Sequence, residues 1–273
     1  MTPDTSTVAF IGGGNMASAL IGGLVGSGAD PSCIQVVEPH APQRALLAQR
    51  FAGVQIWPAA QPALAGAALV VWAVKPQSFA EAAAACGDWT AHALHLSVMA
   101  GVRCGAIARA SGATRVVRSM PNTPALIGRG IAGLFAMPQV SDADRARVVR
   151  LLAPTGQLMW LPREDDLDAV TALSGSGPAY VFYFVEAMMQ AAQDMGLSAE
   201  QGRTLALATF DGAAALAAQS SEPPSVLRER VTSKGGTTHA ALESLRADAV
   251  AEAFVRALQA ARRRAAELGD AFG

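Results

Sequence analysis

Lysine, cysteine and tyrosine are scarce in this sequence of 273 residues, and long apolar runs are missing. The net charge of −1 leaves no basic excess to attract phosphates, so we expect no nucleic-acid partner. No run of about 18 uncharged apolar residues occurs, so no membrane-spanning segment is predicted. The N-terminal residues lack the basic and apolar regions of a secretory signal, which favours a cytoplasmic protein.

The three cysteines, Cys33, Cys86 and Cys104, lie far apart in the sequence. Their odd number argues against a disulfide framework, and their spacing fits no metal-binding motif. We therefore predict no metal site and three small, partly buried thiols in a reduced, cytoplasmic environment.

Only two of the 21 basic residues are lysines, Lys75 and Lys234. Both fall inside segments that are marked by glycine or proline. A lysine ammonium is a compact charge, whereas the arginine guanidinium is a planar fork. One hypothesis is that these two positions require a compact charge, and the alternative is that the distribution arose by drift.

Short apolar strands alternate with helical stretches in the first part of the chain. Strands are predicted at 8–11, 34–38, 69–74, 94–98, 115–119, 131–136 and 158–161, a pattern typical of a doubly wound, parallel α/β sheet. Such sheets bind ligands at the carboxyl ends of their strands. After about Pro162 only helices are predicted, at 178–195, 199–218, 236–244 and 247–268. We therefore predict a Rossmann-type nucleotide-binding domain over 1–162 and an all-helical domain over 163–273.

The segment VAFIGGGNMASAL carries the strongest local signal. Gly12, Gly14 and Ala17 form a Gly-x-Gly-x-x-Ala pattern directly after a predicted strand and before a predicted helix. Gly12 permits a tight turn, Gly14 allows a pyrophosphate to approach the backbone, and the helix N-terminus presents free N–H groups. The pattern predicts a dinucleotide-binding loop, and a glycine-rich turn without a ligand is the simpler alternative.

Glu38 ends the second predicted strand, where an acidic residue commonly meets the adenosine ribose. A carboxylate there accepts from the ribose hydroxyls and repels a 2′-phosphate, which favours NADH. His40 and Arg44 lie close by and offer a phosphate positive charge instead. The choice between NADPH and NADH therefore stays open.

Four further segments are more specific than the glycine loop: AVKPQ at 73–77, MPNTPALIGRG at 120–130, LSGSGPAYVF at 173–182 and VTSKGGTTHAAL at 231–242. Together with IGGGNMA at 11–17, they resemble pyrroline-5-carboxylate reductases in order and spacing, over nearly the whole chain. The resemblance implies hydride transfer from NADPH or NADH to the C=N bond of 1-pyrroline-5-carboxylate, which yields L-proline. The hydride chemistry would belong to the cofactor.

The resemblance also implies which residues contact the cofactor. AVKPQ and the segment VMAG at 98–101 end neighbouring strands, and the two-proline loop at 120–130 lines the nicotinamide side. The implied cofactor-binding residues are Gly12, Gly13, Gly14, Asn15, Met16, Glu38, Ala73, Val74, Lys75, Pro76, Met99, Ala100 and Asn122. The plainer alternatives are a solvated lysine at a strand end, a methionine that fills the core and an asparagine that serves local backbone bonds.

Hydroxyls and glycines are concentrated at the predicted start of a helix in VTSKGGTTHAAL, where the helix dipole is positive. The resemblance assigns this turn to the substrate carboxylate, with Thr238 near the ring nitrogen as the catalytic residue. The implied substrate-binding residues are Ser174, Ser233, Gly235, Gly236, Thr237 and Thr238. A capped helix start is the alternative at this turn, and helix capping is the alternative for Ser174. Lys234 stands where the family commonly has proline, and we expect its charge to strengthen carboxylate binding.

Other functions on the same plan are also considered. A reductase for a β-hydroxy acid or a six-membered imine would have a lysine on the long helix, and residues 180–190 contain none. A non-catalytic cofactor-binding protein would not need the SKGGTT turn. The amphipathic segment 250–268 predicts a homodimer through the C-terminal helices, and the resemblance implies that dimers assemble into a larger ring.

Overall fold

The computed structural model describes residues 6–272, which form two compact units. Of these residues, the first unit comprises 6–176 and 261–272, and the second comprises Gly177–Ala260. The first unit contains every strand of the described residues, and the second contains only helices, so the predicted α/β plan with a helical C-terminal region is confirmed.

One eight-stranded sheet forms the centre of the first unit, in the order β3-β2-β1-β4-β5-β6-β7-β8. The strands are β1 (Thr7–Ile11), β2 (Ile34–Val37), β3 (Gln55–Trp57), β4 (Ala67–Trp72), β5 (Leu94–Ser97), β6 (Val116–Met120), β7 (Gly130–Ala136) and β8 (Gly156–Trp160). Neighbouring strands are parallel except for β6 and β7, so the expectation of a fully parallel sheet was wrong at this pair. The short loop between them has no crossover helix, which a parallel connection would need.

Helices cover the sheet of the first unit, and the sheet is packed on both faces. They are α1 (Asn15–Gly26), α2 (Ala41–Arg50), α3 (Phe79–Cys86), α4 (Cys104–Ser111), α5 (Asp142–Leu152) and α6 (Asp166–Val170). Side chains of a strand point alternately to opposite faces. Phe10 of β1 and Val71 of β4 accordingly belong to one core cluster, while Ile11 and Trp72 belong to the other.

The second unit contains α7 (Gly177–Asp194), α8 (Ala199–Gln219), α9 (Pro224–Arg230), α10 (Thr237–Ala247) and the first part of α11 (Val250–Phe272). Helices α7 and α8 pack against each other. Ser198 and Gln201 form a reciprocal capping box at the start of α8. In the described residues, no helix is both long and apolar enough to cross a membrane.

The two units meet in sequence at Ser176 and Gly177, later than the boundary expected at 162 and 163. The intervening segment is tied to the first unit. Helix α6 packs against β7, and Asp168 of α6 pairs with Arg103 at 2.8 Å. Charged residues after Pro162 therefore bond back to the sheet domain, which a change in composition could not indicate.

Candidate active site

The glycine loop lies where β1, β2 and β4 end at their carboxyl sides. Gly12 has a φ of +97°, which favours glycine, and an added Cβ would lie 2.6 Å from the carbonyl oxygen of Ala73. The Gly12 N–H donates to the Val37 carbonyl at 2.8 Å. The structure thus brings the first predicted loop, the end of β2 and the AVKPQ segment together.

Gly14 is the N-cap of α1, and no side chain accepts a hydrogen bond from the first turn of that helix at this cap. An added Cβ at Gly14 would meet no atom within 4 Å, so the loop opens to free space here. The first-turn N–H groups of a helix have no intrahelical partner and favour negative charge. This open helix start fits the diphosphate of a dinucleotide, and Gly14, Asn15 and Met16 are the residues that would hold it.

Glu38 lies beside the loop, with both carboxylate oxygens bonded to backbone. Its Oε2 accepts from the Gly13 N–H at 2.9 Å, and its Oε1 accepts from the His40 N–H at 2.8 Å. Arg44 donates through Nη1 to the carbonyls of Glu38 and Pro39, at 3.0 and 2.6 Å. One carboxylate oxygen therefore binds the backbone of the glycine loop, and the other binds the backbone of the segment that follows Glu38.

Gln43 is a member of this site that the sequence did not indicate. Its Nε2 donates to the Gly13 carbonyl oxygen at 2.6 Å, across 30 positions in the sequence. Nothing in the local pattern of α2 marks Gln43, and its role follows only from the packing of α2 against the loop.

The strand-end segments after β4 and β5 present different groups. Lys75 is exposed and has an extended backbone, as expected for a residue before proline. In residues 6–272 its ammonium makes no hydrogen bond or ion pair, so its charge is available beside the glycine loop's edge of the sheet. Met99 is 3% exposed and belongs to the core. The core-filling alternative therefore describes its side chain, and its backbone N–H donates to Oγ of Ser97 at 3.2 Å.

Asn122 connects the loop after β6 to two other segments. Its Oδ1 accepts from the Ile131 N–H at 3.0 Å, and its Nδ2 donates to the Ser174 carbonyl at 3.2 Å. The amide is buried, so both bonds replace bonds to water. Asn122 fixes the shape of the loop that the sequence placed near the nicotinamide.

Ser174 lies within a π-helical turn, Thr171–Gly175, so the alternative of helix capping does not apply to it. Its hydroxyl donates to the Val170 carbonyl one turn back, at 3.1 Å. An added Cβ at Gly175 would lie 2.5 Å from Cε of Met120, so this turn packs against the end of β6. Single π turns are frequent at functional sites.

The SKGGTT turn, in the second unit, leads into α10. Gly235 has a φ of +75°, and Gly236 is the N-cap of α10 with no side-chain hydrogen bond to the first turn. An added Cβ at Gly236 would lie 2.7 Å from Oγ of Ser233. Thr237 is exposed and Thr238 is half-buried. The alternative of a side-chain-capped helix start does not apply at Gly236, and the first N–H groups of α10 remain available to an anion.

The predicted site residues thus fall into two groups, one in each unit. The group of the first unit follows the strands of one sheet: it consists of the glycine loop, Glu38, the AVKPQ residues, Met99, Ala100 and Asn122. Ser174 belongs to the same unit. Residues 233–238 form the group of the second unit. The part of the chain that the structure describes contains no cluster of three or more His, Cys, Asp or Glu side chains suited to a metal ion.

Comparison with known sequences identifies a family for each of two parts of the chain. The family described as pyrroline-5-carboxylate reductase dimerisation matches residues 164–268, and the family described as NADP oxidoreductase, coenzyme F420-dependent, matches residues 7–101. The pyrroline-5-carboxylate reductase of Pseudomonas aeruginosa is 43% identical over 98% of this chain and 99% of that protein. The Pasteurella multocida enzyme of the same name is 37% identical over 97% of this chain and 98% of that protein.

Solved structures give the same result. The pyrroline-5-carboxylate reductase of Coxiella burnetii superposes with a TM-score of 0.89 at 35% identity, over 97% of this chain and 99% of that one. The Plasmodium falciparum pyrroline carboxylate reductase, solved with NADP bound, has a TM-score of 0.86 at 26% identity, over 98% of this chain and 99% of that one. With full-length relatives above 30% identity and the glycine loop, AVKPQ and SKGGTT segments in place, this chain belongs to the pyrroline-5-carboxylate reductase family.

Proposed function

We propose that this protein reduces 1-pyrroline-5-carboxylate to L-proline with hydride from NADPH or NADH. One observation carries the proposal: two helices of different units, α1 and α10, both begin at a glycine N-cap without a side-chain cap. Each helix start offers N–H groups and positive dipole to an anion. One suits the diphosphate of the dinucleotide, and the other suits the carboxylate of the imine.

The residues of the chain bind and orient, and the nicotinamide supplies the hydride when bound. Gly14 and the first turn of α1 hold the diphosphate, and Lys75 adds a positive charge at the same edge of the sheet. The turn of Ser233, Gly235, Gly236 and Thr237 holds the substrate carboxylate. Fixed placement of two reactants can supply about 7–11 kcal/mol of the barrier in favourable cases.

Thr238 is proposed to donate a hydrogen bond to, or accept one from, the ring nitrogen. In the reaction the imine carbon gains the hydride and the nitrogen gains a proton. The protonated imine is the better hydride acceptor, because its positive charge draws electrons from the carbon. A threonine hydroxyl is too weak an acid to be the source of that proton. We therefore propose that solvent provides it, either before or after the imine binds, and that Thr238 orients the nitrogen.

The chain forms an oligomer through its dimerisation region, which spans residues 164–268. Large apolar side chains of the second unit are exposed in the single chain, with Phe182 at 58%, Tyr183 at 69% and Leu216 at 60%. An exposed apolar surface of this kind requires a partner. We propose a homodimer through these helices and a larger ring of dimers, and sedimentation velocity on the purified protein tests both.

We propose a cytoplasmic location, supported by the buried, reduced thiols of Cys86 and Cys104 and by the need for reduced nicotinamide cofactor. The activity is tested by the loss of reduced-cofactor absorbance when 1-pyrroline-5-carboxylate is added to the protein, with NADPH and NADH in separate assays. Proline must accumulate in equal amount. A β-hydroxy acid and a six-membered imine serve as alternative substrates, and preference for either would contradict the proposal.

A further inference from the structure

Both backbone polar groups of Gly13 are bonded to side chains of another segment. The N–H donates to Oε2 of Glu38 at 2.9 Å, and the carbonyl accepts from Nε2 of Gln43 at 2.6 Å. Ser18 of α1 also donates to that carbonyl, at 3.5 Å. Gly13 belongs to neither β1 nor α1, so these side chains replace the bonds that regular structure would provide.

The contact between Gly13 and this segment is close as well as polar. An added Cβ at Gly13 would lie 2.5 Å from Cδ1 of Leu47 and 3.3 Å from Cβ of Glu38. Leu47 is a buried core residue of α2, so it cannot move aside without cost. The glycine loop therefore rests directly on α2 and on the end of β2.

Glu38 is itself held in place. Its second oxygen accepts from the His40 N–H at 2.8 Å, and Arg44 bonds to the carbonyls of Glu38 and Pro39. Each carboxylate oxygen of Glu38 therefore holds one backbone N–H group and keeps a further lone pair for another donor. Glu38 thus has a structural role in the glycine loop that does not depend on any contact with the ribose.

We propose that Glu38 and Gln43 are positioning residues that fix Gly13, and through it Gly14 and the start of α1, for the diphosphate of the cofactor. This inference rests on the proposed function. Because the diphosphate is common to both dinucleotides, loss of either side chain weakens NADPH and NADH by the same factor. Neither side chain touches the reacting atoms, so the loss is expected in cofactor binding, with a smaller effect on kcat at saturating cofactor.

The test compares Glu38→Ala, Glu38→Gln and Gln43→Ala with wild type. A matched control is Gln49→Ala, because Gln49 is an exposed glutamine of the same helix with no hydrogen bond in the described part of the chain. The dissociation constants of NADPH and NADH are measured by cofactor fluorescence without substrate, and kcat and KM are measured separately. Amide hydrogen exchange of residues 12–16 in the cofactor-free protein gives a readout that is independent of turnover.

We expect Glu38→Ala and Gln43→Ala each to raise both dissociation constants about three- to tenfold, as for the loss of one hydrogen bond. The NADPH-to-NADH ratio should stay within about twofold, and exchange at the loop should increase in both variants. Glu38→Gln keeps one acceptor oxygen, which can retain the bond from the Gly13 N–H but not also the one from His40, so it should recover only part of the affinity. The double variant should lose less than the sum of the single losses, since both side chains hold one residue.

Three results would overturn the inference. One is a Glu38→Ala variant that weakens NADH alone or tightens NADPH, because that would make Glu38 a ribose-selecting residue. A second is a Gln43→Ala variant whose cofactor affinity and amide hydrogen exchange are the same as those of the control variant Gln49→Ala. The third is a loss of kcat at saturating cofactor that is as large as the loss of cofactor affinity. A wild-type protein that binds both cofactors but reduces no imine would contradict the proposed function. The binding and exchange measurements would still test the role of Glu38 and Gln43.

Discussion

The indole N–H of Trp72 donates a hydrogen bond to Nδ1 of His95 at 2.9 Å, between the neighbouring strands β4 and β5. Both side chains are 0% exposed. Nε2 of His95 lies 2.8 Å from the Thr90 carbonyl, so the neutral ring carries its proton on Nε2. The pair joins two strands in the core of the sheet and is satisfied only while the imidazole is neutral.

We expect protonation of His95 to destabilise the folded protein at acidic pH. Burial lowers the pKa of its imidazole from 6.5 to about 4. The unfolded chain therefore binds the proton first, and stability that is fully present above pH 6.5 is lost as the pH falls to about 4. The separation of the two pKa values corresponds to about 3 kcal/mol of unfolding free energy. Urea unfolding at a series of pH values measures it.

His95→Gln is the matched control for this titration. An amide side chain can accept from Trp72 and donate to the Thr90 carbonyl, but it does not titrate. Subtracting its pH profile from that of wild type removes the contributions of all other groups. A difference profile that is flat between pH 4 and 6.5 would show that His95 is not the source.

Two adjacent glycines of α1 predict opposite effects of the same substitution. An added Cβ at Gly22 would lie 3.5 Å from Cε1 of Phe51, an ordinary contact, whereas at Gly23 it would lie 2.6 Å from Cβ of Pro154. Gly22→Ala should raise the unfolding free energy by about 0.5–1 kcal/mol, because alanine favours the helix. Gly23→Ala should lower it by about 1–3 kcal/mol, because α1 must move away from Pro154. Denaturant unfolding measures both changes in unfolding free energy. If the two variants change it in the same direction, the difference in packing at Gly22 and Gly23 does not determine the effect.

Glu164 predicts a large loss of stability on truncation. Its Oε1 accepts from Nη1 of Arg118 at 2.8 Å and from the Cys104 N–H at 2.6 Å, and Arg118 is 4% exposed. Glu164→Ala leaves a buried guanidinium without its counter-charge and should lower the unfolding free energy by about 3–5 kcal/mol. Glu164→Gln keeps an acceptor oxygen and should lose less.

An exposed ion pair provides the comparison for Glu164. Glu243 pairs with Arg246 on the surface of α10, with both side chains more than half exposed. Glu243→Ala should change the unfolding free energy by about 0.5 kcal/mol or less. Equal losses in Glu243→Ala and Glu164→Ala would mean that burial of Arg118 does not determine the effect.

The main elements of the fold could be predicted from the sequence because their patterns are local. The apolar runs of β1 and β4 and the long helices α7 and α8 lie within a few residues of their predicted bounds. Strand β3 (Gln55–Trp57) was missed because it has three residues and alternates too briefly to give a pattern. Helix α9 was not among the predicted helices, because it has seven residues and follows two prolines, Pro223 and Pro224, although proline suits the first turn of a helix.

The starts of helices α1 and α10 could be predicted from the sequence, but the contacts around them could not. Glycine patterns identified the two helix starts, since a glycine cap is a local feature. The bonds of Gly13 to Glu38 and Gln43 span 25 and 30 positions and depend on how α2 packs against the loop. The same holds for Asn122, whose partner Ser174 is 52 positions away and lies in a π turn. Such contacts arise from packing, and no local pattern encodes them.

Lys234 predicts a weak, salt-dependent effect on substrate binding. Its side chain is exposed and adjoins the turn that we propose binds the substrate carboxylate. Lys234→Pro should raise the KM for the imine by about two- to fivefold at low salt, as for an exposed charge pair. The difference should shrink as salt is added, because screening acts on exposed charges. If KM stays unchanged at low salt, Lys234 has no part in carboxylate binding.

Thr238 predicts the largest effect on turnover in the second unit. Thr238→Val keeps the shape of the side chain and removes the hydroxyl that we propose bonds to the ring nitrogen. Loss of one hydrogen bond to a charged group costs about 1.5–3 kcal/mol, so kcat should fall by about one to two orders of magnitude. Thr238→Ser keeps the hydroxyl and should retain most of kcat. Thr238 lies in the first turn of α10, so a change in KM alone would mean that it helps to hold the carboxylate. If the kcat of Thr238→Val stays within about twofold of wild type, Thr238 has no part in the proposed hydride transfer.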